Sequence, residues 1–311
     1  MATTTKETLP QPPSILLELY GLSSTAKSHP SVFDRSREET LPTPTVPNVH
    51  RPYVTLTFAQ SLDAKIAGVG GKQLILSGNE SLVMTHWMRT LHDGILVGIG
   101  TALNDNPQLN TRHLPPLPAG HPHGYRLPRP IILDTHLRLS PECKLLKNYQ
   151  AGYGRRPWVV CAPQRASSDV ASTEAFTQRA AALQAAGAKI IELECDAATE
   201  MSESPIDNDR AGRIAIPDLL AALRELGVRS LMVEGGARVI RSFLHGARSS
   251  AASGSSGKKT VDALVVTVAP TVVGSAGIGY GSELLTEELP TFQHVRTDVF
   301  GPDTVVALKT S

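Results

Sequence analysis

Cysteine, net charge and long apolar runs are all scarce in this sequence, and each scarcity removes a class of protein. Only Cys143, Cys161 and Cys195 occur, widely spaced and without a C-x-x-C pair. This argues against a disulfide framework and a structural zinc site and fits a reducing, cytoplasmic compartment; no metal is expected. The longest apolar runs, such as residues 263–269, are strand-sized, far below the roughly 20 residues that a bilayer-spanning helix needs. The formal net charge is +1 over 311 residues, with acids and bases mixed and no basic stripe, so the footprint of a nucleic-acid binder is missing. The N-terminus lacks the charged start, continuous apolar region and small-residue cleavage site of a secretory signal. Glu7 and Glu18, with arginine scarce before Arg35, argue against a mitochondrial address.

What remains is a chain with 41% hydrophobic residues, enough for one large core or two modest ones. Residues 1–51 are rich in Pro, Ser and Thr and read as an irregular arm with a helical turn or two at residues 15–20. One domain is expected over residues 52–311. It opens with an alternating, β-branched strand at 53–58 that runs on in extended form through 66, which would put Asp63 and Lys65 on one face. Ser77 to Glu80 has capping-box spacing, and Val83, Trp87 and Leu91 form the apolar stripe of the helix behind it, with Arg89 near its end. Further strands at 94–97, 131–133, 158–161, 190–193, 230–233 and 261–269 alternate with helices, among them one at 217–226 with Pro217 in its first turn and Gly227 at its end. Residues 292–299 and 304–308 close the chain as a hairpin. A polar insert at 201–213 and a flexible Ser/Gly loop at 246–260 interrupt the pattern. This order predicts an α/β fold with a mostly parallel central sheet, helices on both faces and a C-terminal antiparallel hairpin.

Two stretches carry candidate chemistry. In residues 92–112 a buried strand runs into Gly98-Ile99-Gly100, a short helical turn that puts Thr101 and Asp105 on one face, a stop at Asn106-Pro107, and Arg112. A hydroxyl, a carboxylate and a guanidinium at a strand's C-terminal end suit a phosphate-bearing small molecule. In residues 231–238 a strand enters Gly235-Gly236 and then a helix, leaving backbone N–H groups and the positive helix end free for a pyrophosphate. Glu234, at the last strand position, is costly there unless it meets a cation or a ligand, and Lys65 is one cation that can serve. Each element alone also has a plain structural reading. Thr101 can be a cap, Asp105 a turn residue, the glycine pair a ligand-free turn and Lys65 a surface lysine.

Taken together, SLDAKIA (61–67), LHDGILVGIGTALNDNPQLNTR (91–112), PRPIILDT (128–135), LMVEGGA (231–237) and VAPTVVGS (268–275) resemble the riboflavin-pathway pyrimidine reductases of the fungal and archaeal type, over roughly residues 52–308. The resemblance implies a dihydrofolate-reductase-like fold, a homodimer, and NADPH as the reductant of a ribosylamino group on a phosphorylated pyrimidine. It places Thr101 and Asp105 against both cofactor and substrate. Gly235, Gly236, Ala237, Arg238 and Val239 fall on the pyrophosphate turn, and Ala59 and Thr135 on cofactor-lining positions. Arg89 and Arg112 match ligands of the substrate phosphate, and Lys65 and Glu234 match the residues beside the reduced sugar carbon, with Glu234 keeping Lys65 charged. Arg165 is a candidate for the cofactor 2′-phosphate. Bacterial relatives add a zinc deaminase, but H-x-E followed by P-C-x-x-C occurs nowhere here. Two other readings share the scaffold, a dihydrofolate reductase and a non-catalytic dinucleotide sensor.

Overall fold

The computed structural model describes residues 9–22, 32–33, 50–121, 123–164, 170–195, 214–245, 259–281 and 290–311. Helix α1 (Ser14–Tyr20) and a two-residue strand β1 (Val32–Phe33) precede the first long strand, β2 (Tyr53–Gln60). A short β3 (Lys65–Ala67) and helix α2 (Asn79–Thr90) lead to β4 (Gly94–Gly98) and α3 (Ile99–Asp105). Next come β5 (Gly124–Tyr125), β6 (Arg129–Leu133), α4 (Lys144–Gln150), β7 (Trp158–Cys161), α5 (Val170–Ala185) and β8 (Lys189–Glu192). The chain continues through α6 (Ile216–Glu225), β9 (Ser230–Glu234), α7 (Ala237–His245), β10 (Ala263–Val268) and β11 (Ile278–Gly279), and closes with β12 (Phe292–Phe300) and β13 (Asp303–Thr310).

The main sheet is 9-stranded, in the order β12-β13-β10-β2-β9-β4-β6-β7-β8. Neighbours are parallel from β10 across to β8, whereas β13 is antiparallel to β10 and to β12. Helices cover both faces. On one, Met84, Trp87 and Met88 of α2, Leu145 and Leu146 of α4 and Phe176 and Leu183 of α5 pack on Ile95, Val97, Ile132 and Val159. On the other, Leu219, Leu220 and Leu223 of α6 and Ile240 and Phe243 of α7 pack on Leu96, Ile131, Leu231 and Val233. Because β4 and β9 are buried on both sides they are near-continuous apolar runs, as parallel strands between helix layers must be. Pro217 sits in the first turn of α6, and Gly227 follows the helix at φ +89, as capping chemistry requires. The expected architecture is therefore present.

Four local expectations need correction. The arm does not stop short of the domain: Ile15, Leu16, Leu19 and Tyr20 of α1 are buried in the same core as α2 and β13, so a boundary at Pro52 cuts through that core. The strand expected through residue 66 ends at Gln60, because Ala64 takes the left-handed φ of 57 in the turn that follows. Asp63 and Lys65 consequently do not share a face by alternation. The capping box is not formed either. Gly78 is the N-cap of α2 without a side-chain cap bond, and the carboxylate that meets this end is Asp303, whose Oδ2 accepts the Gly78 N–H at 2.7 Å and the Ser81 hydroxyl. The buried stripe of α2 runs through Met84, Trp87, Met88 and Leu91, with Val83 only partly buried at its edge. Residues 1–8, 23–31 and 34–49 of the arm, the polar insert, Arg165 and residues 246–258 lie outside the described residues.

Candidate active site

β2, β9 and β4 are adjacent and parallel, with Thr57 opposite Glu234 and Leu96 opposite Val233. Their C-terminal ends therefore open onto one edge of the sheet, where a ligand crevice belongs in an open α/β sheet. A cleft of about 1190 Å³ lies there, above the range of roughly 300–1,000 Å³ usual for a single small ligand. Ala59 reaches it from the end of β2, Thr101 and Asp105 from α3, and Thr135 from the end of β6. The segment from Glu234 through Val239 lines it from the end of β9, and Arg89 and Arg112 from α2 and the loop after α3. The structure thus brings these sequence-predicted residues together around one cleft.

The two glycine turns meet each other. A Cβ on Gly235 would lie 2.6 Å from Val239 Cβ, and one on Gly98 2.9 Å from Val239 Cγ2, so both turns are closed to side chains by the first turn of α7. A Cβ on Gly236 would lie 3.3 Å from Thr101 Oγ1, which puts the Thr101 hydroxyl against the Gly235-Gly236 turn. Gly100 differs, since apart from its chain neighbours and its own helix backbone no atom lies within 4 Å of where its Cβ would stand, and it too lines the cleft. A helix N-terminus behind a bare glycine pair, with open backbone facing it, fits a pyrophosphate.

The charged groups follow a different pairing from the one expected. Glu234 is not joined to Lys65. Arg89 Nε donates to Glu234 Oε1 at 2.9 Å and Nη2 to Oε2 at 2.8 Å, a bidentate pair. Its Nη1 donates to the Asn110 carbonyl at 3.0 Å. Arg112 lines the cleft with its Nε buried and without a hydrogen-bond partner. Burial, and then the Arg89 charge, push its guanidinium below its ordinary value. Asp105 is half-buried, and burial raises its carboxyl above the usual carboxylate range.

Lys65 stands one residue before the lining positions Ile66 and Ala67. β3 pairs with β11 as a separate antiparallel ribbon along the cleft, and a Cβ on Gly277 would lie 3.1 Å from Lys65 Cγ, so the lysine stem runs along that ribbon. Among the described residues its ammonium has no acceptor. Asp63 holds the ribbon's base: its Oδ1 accepts the Ser61 hydroxyl at 2.5 Å and the Val273 N–H at 3.1 Å, and Oδ2 the Gly274 N–H at 2.7 Å. These bonds, the Ser61 one first, hold its carboxyl down at about 2. Sequence reasoning missed Arg138 and Lys144, which also line the cleft on the β6 side. Arg138 follows Thr135 by three residues, and its position just past a strand end was the available signal.

The family model described as the RibD C-terminal domain matches residues 52–306. The chain is 33% identical over 244 residues to the 2,5-diamino-6-ribosylamino-4(3H)-pyrimidinone 5′-phosphate reductase of Debaryomyces hansenii, covering 78% of this chain and 83% of that one. It is 35% identical to the enzyme of the same name from Saccharomyces cerevisiae over 228 residues, 73% of this chain and 75% of the relative. Among solved structures, the Saccharomyces riboflavin biosynthesis reductase Rib7 superposes with a TM-score of 0.58 at 26% identity, covering 86% of this chain and 93% of that one.

Proposed function

The chain belongs to the RibD C-terminal domain family and is a reductase of the riboflavin pathway; on that premise we propose that its cleft reduces the ribosylamino group of 2,5-diamino-6-ribosylamino-4(3H)-pyrimidinone 5′-phosphate to the ribitylamino product, with NADPH as reductant. The single observation that carries the reading is the meeting, in one cleft, of the Gly235-Gly236 turn, the Glu234 carboxylate and Arg112, whose Nε has no partner among the described residues. A partly buried guanidinium with no acid on it among the described residues suits an anion from outside the protein, and the substrate phosphate supplies it.

The residues fit a dinucleotide through the bare glycine pair at the start of α7 and the open face of Gly100. When bound, the reduced nicotinamide supplies the hydride that the sugar C1 accepts. The chain does the rest. Arg112 anchors the phosphate, and Thr101 and Asp105 bound the space where cofactor and sugar meet. Glu234 holds the opened sugar chain by its hydroxyls. Lys65, at the rim, orients the substrate or hands over a proton, directly or through water, to the imine that the ribosylamine forms when its ring opens, and a protonated imine needs no further activation. Arg138 and Lys144 provide the positive wall that favours the 2′-phosphate of NADPH over NADH.

Two copies associate in this reading. It is supported by an apolar strip on the outer sheet, where Val299 is 72% exposed and Val266, Val306 and Leu308 are half-buried. A cytoplasmic setting is part of the same reading. The test is substrate-dependent loss of NADPH absorbance, run beside NADH, with Arg112→Met as the diagnostic variant. The expected result is turnover favouring NADPH and a KM for the phosphorylated substrate raised at least about tenfold in the variant. An unchanged KM would remove Arg112 from phosphate binding.

A further inference from the structure

Behind the β6 side of the cleft stands one buried acid to which the reading above gives no task. Asp134 follows the last residue of β6 and is 0% exposed. Its backbone and one of its carboxylate oxygens build the loop that comes next. The Asp134 N–H donates to the Val160 carbonyl at 2.9 Å, its carbonyl accepts the Leu137 N–H at 3.1 Å, and Oδ2 accepts the Leu139 N–H at 2.7 Å. Leu137, buried within the loop, takes the left-handed φ of 53. Closed in this way, the loop presents Thr135, His136 and Arg138 to the cleft.

The other oxygen, Oδ1, is not explained by that construction. It is buried and has no hydrogen-bond partner among the described residues, which is costly for a carboxylate. An amide would hold the Leu139 N–H as well, so building the loop does not account for an acid here. Arg138 Nε stands 3.9 Å from Oδ1, beyond hydrogen-bond reach. With the Arg138 side chain 52% exposed, an ion pair at that separation contributes little. A guanidinium can serve two anions at once, however, its Nε–H meeting one and its Nη groups the other. A phosphate on the Nη groups would draw Arg138 out of water, and its Nε–H would then find in Oδ1 an acceptor already in place.

We propose that Asp134 is a positioning residue for the cofactor: its Oδ1 accepts the Arg138 Nε–H when the 2′-phosphate of NADPH takes the Nη groups, and this anchoring, added to the charge of Arg138, sets the preference over NADH. The inference rests on the reading of Arg138 and Lys144 as the wall that meets the 2′-phosphate. The experiment is fluorescence titration of the full chain with NADPH and with NADH, which gives the ratio of dissociation constants without turnover. It is run on wild type, Asp134→Asn, Arg138→Met, Arg138→Lys and the Asp134→Asn, Arg138→Met double variant. Asp134→Asn keeps an acceptor for the Leu139 N–H and removes the one for Nε. It should lower the NADPH preference at least about fivefold, through the NADPH constant alone, while the thermal midpoint of the free chain moves by less than about 3 °C. Arg138→Met should lose at least as much, and the double variant no more than Arg138→Met, because both substitutions remove one interaction. Arg138→Lys keeps the charge without the Nε–H and should fall within about threefold of Arg138→Met. An Asp134→Asn chain that keeps the wild-type ratio, or weakens both dinucleotides alike, has lost only a structural residue and overturns the proposal. So does an Arg138→Lys chain that keeps the wild-type ratio, and this variant decides the matter if Asp134→Asn does not fold. A wild type that binds the two dinucleotides equally, or an Arg138→Met chain that keeps the preference, overturns the reading of Arg138 in the wall and this inference together. Preference lost in Arg138→Met but kept in Asp134→Asn and Arg138→Lys overturns this inference alone.

Discussion

Acidification should weaken this fold through a buried histidine far from solvent. His92 is 2% exposed, and its Nδ1 lies 2.7 Å from the Met88 carbonyl, which can only accept, so Nδ1 carries the proton. Nε2, 3.0 Å from Thr55 Oγ1, must then accept the Thr55 hydroxyl. Thr55 Oγ1 in turn accepts from the Tyr20 hydroxyl at 3.2 Å, which ties α1 into the chain of bonds. Protonating Nε2 removes the acceptor of the Thr55 hydroxyl hydrogen and breaks that link of the chain. Burial accordingly pushes the imidazole from 6.5 down to about 4. At about 1.36 kcal/mol per unit, a depression of that size is worth roughly 3 kcal/mol of folding stability. The sign follows from proton counting: between 6.5 and about 4 the unfolded chain binds a proton that the native chain refuses. The contribution is full above 6.5 and is lost as pH falls through that window. Urea unfolding from pH 7.5 to 4.5 should show a steeper loss in wild type than in His92→Gln, which cannot titrate there. Equal pH dependence in the two proteins would refute the reasoning. His86, held down by burial at about 3, adds to the absolute slope but is common to both.

Two other outcomes follow from the packing. Asp303→Ala should cost about 1–3 kcal/mol in chemical denaturation, because the Gly78 N–H and the Ser81 hydroxyl lose their buried acceptor at the start of α2; a change within a few tenths would deny Asp303 that role. Gly235→Ala should cost about 1–3 kcal/mol through overlap with Val239, and should weaken NADPH binding in a fluorescence titration more than it weakens the fold.

Local chemistry made much of this molecule readable from its sequence. Buried strands ending in glycine, at Gly98 and at Gly235, announce their own turns, and α3 sets Thr101 and Asp105 on one face by its period alone. That Glu234 needs a partner was also legible. Which cation answers was not, because Arg89 stands 145 residues away and only the strand order β2-β9-β4 brings α2 over the end of β9. The same limit applies to Asp303, 225 residues from the backbone it caps. The helical turns of α1 were legible amid the prolines of the arm, but that their apolar residues belong to the core was not. The expectation that Asp63 and Lys65 share a strand face failed at Ala64, where one left-handed residue turned an expected strand aside.

Val239 touches the space beside both Gly98 and Gly235, so one β-branched side chain sets the clearance under two loops at the cleft. Their freedom to diverge is consequently shared. A relative with alanine at the place of Gly98 should carry a smaller residue at the place of Val239, and the slackened helix start would then reshape both turns together.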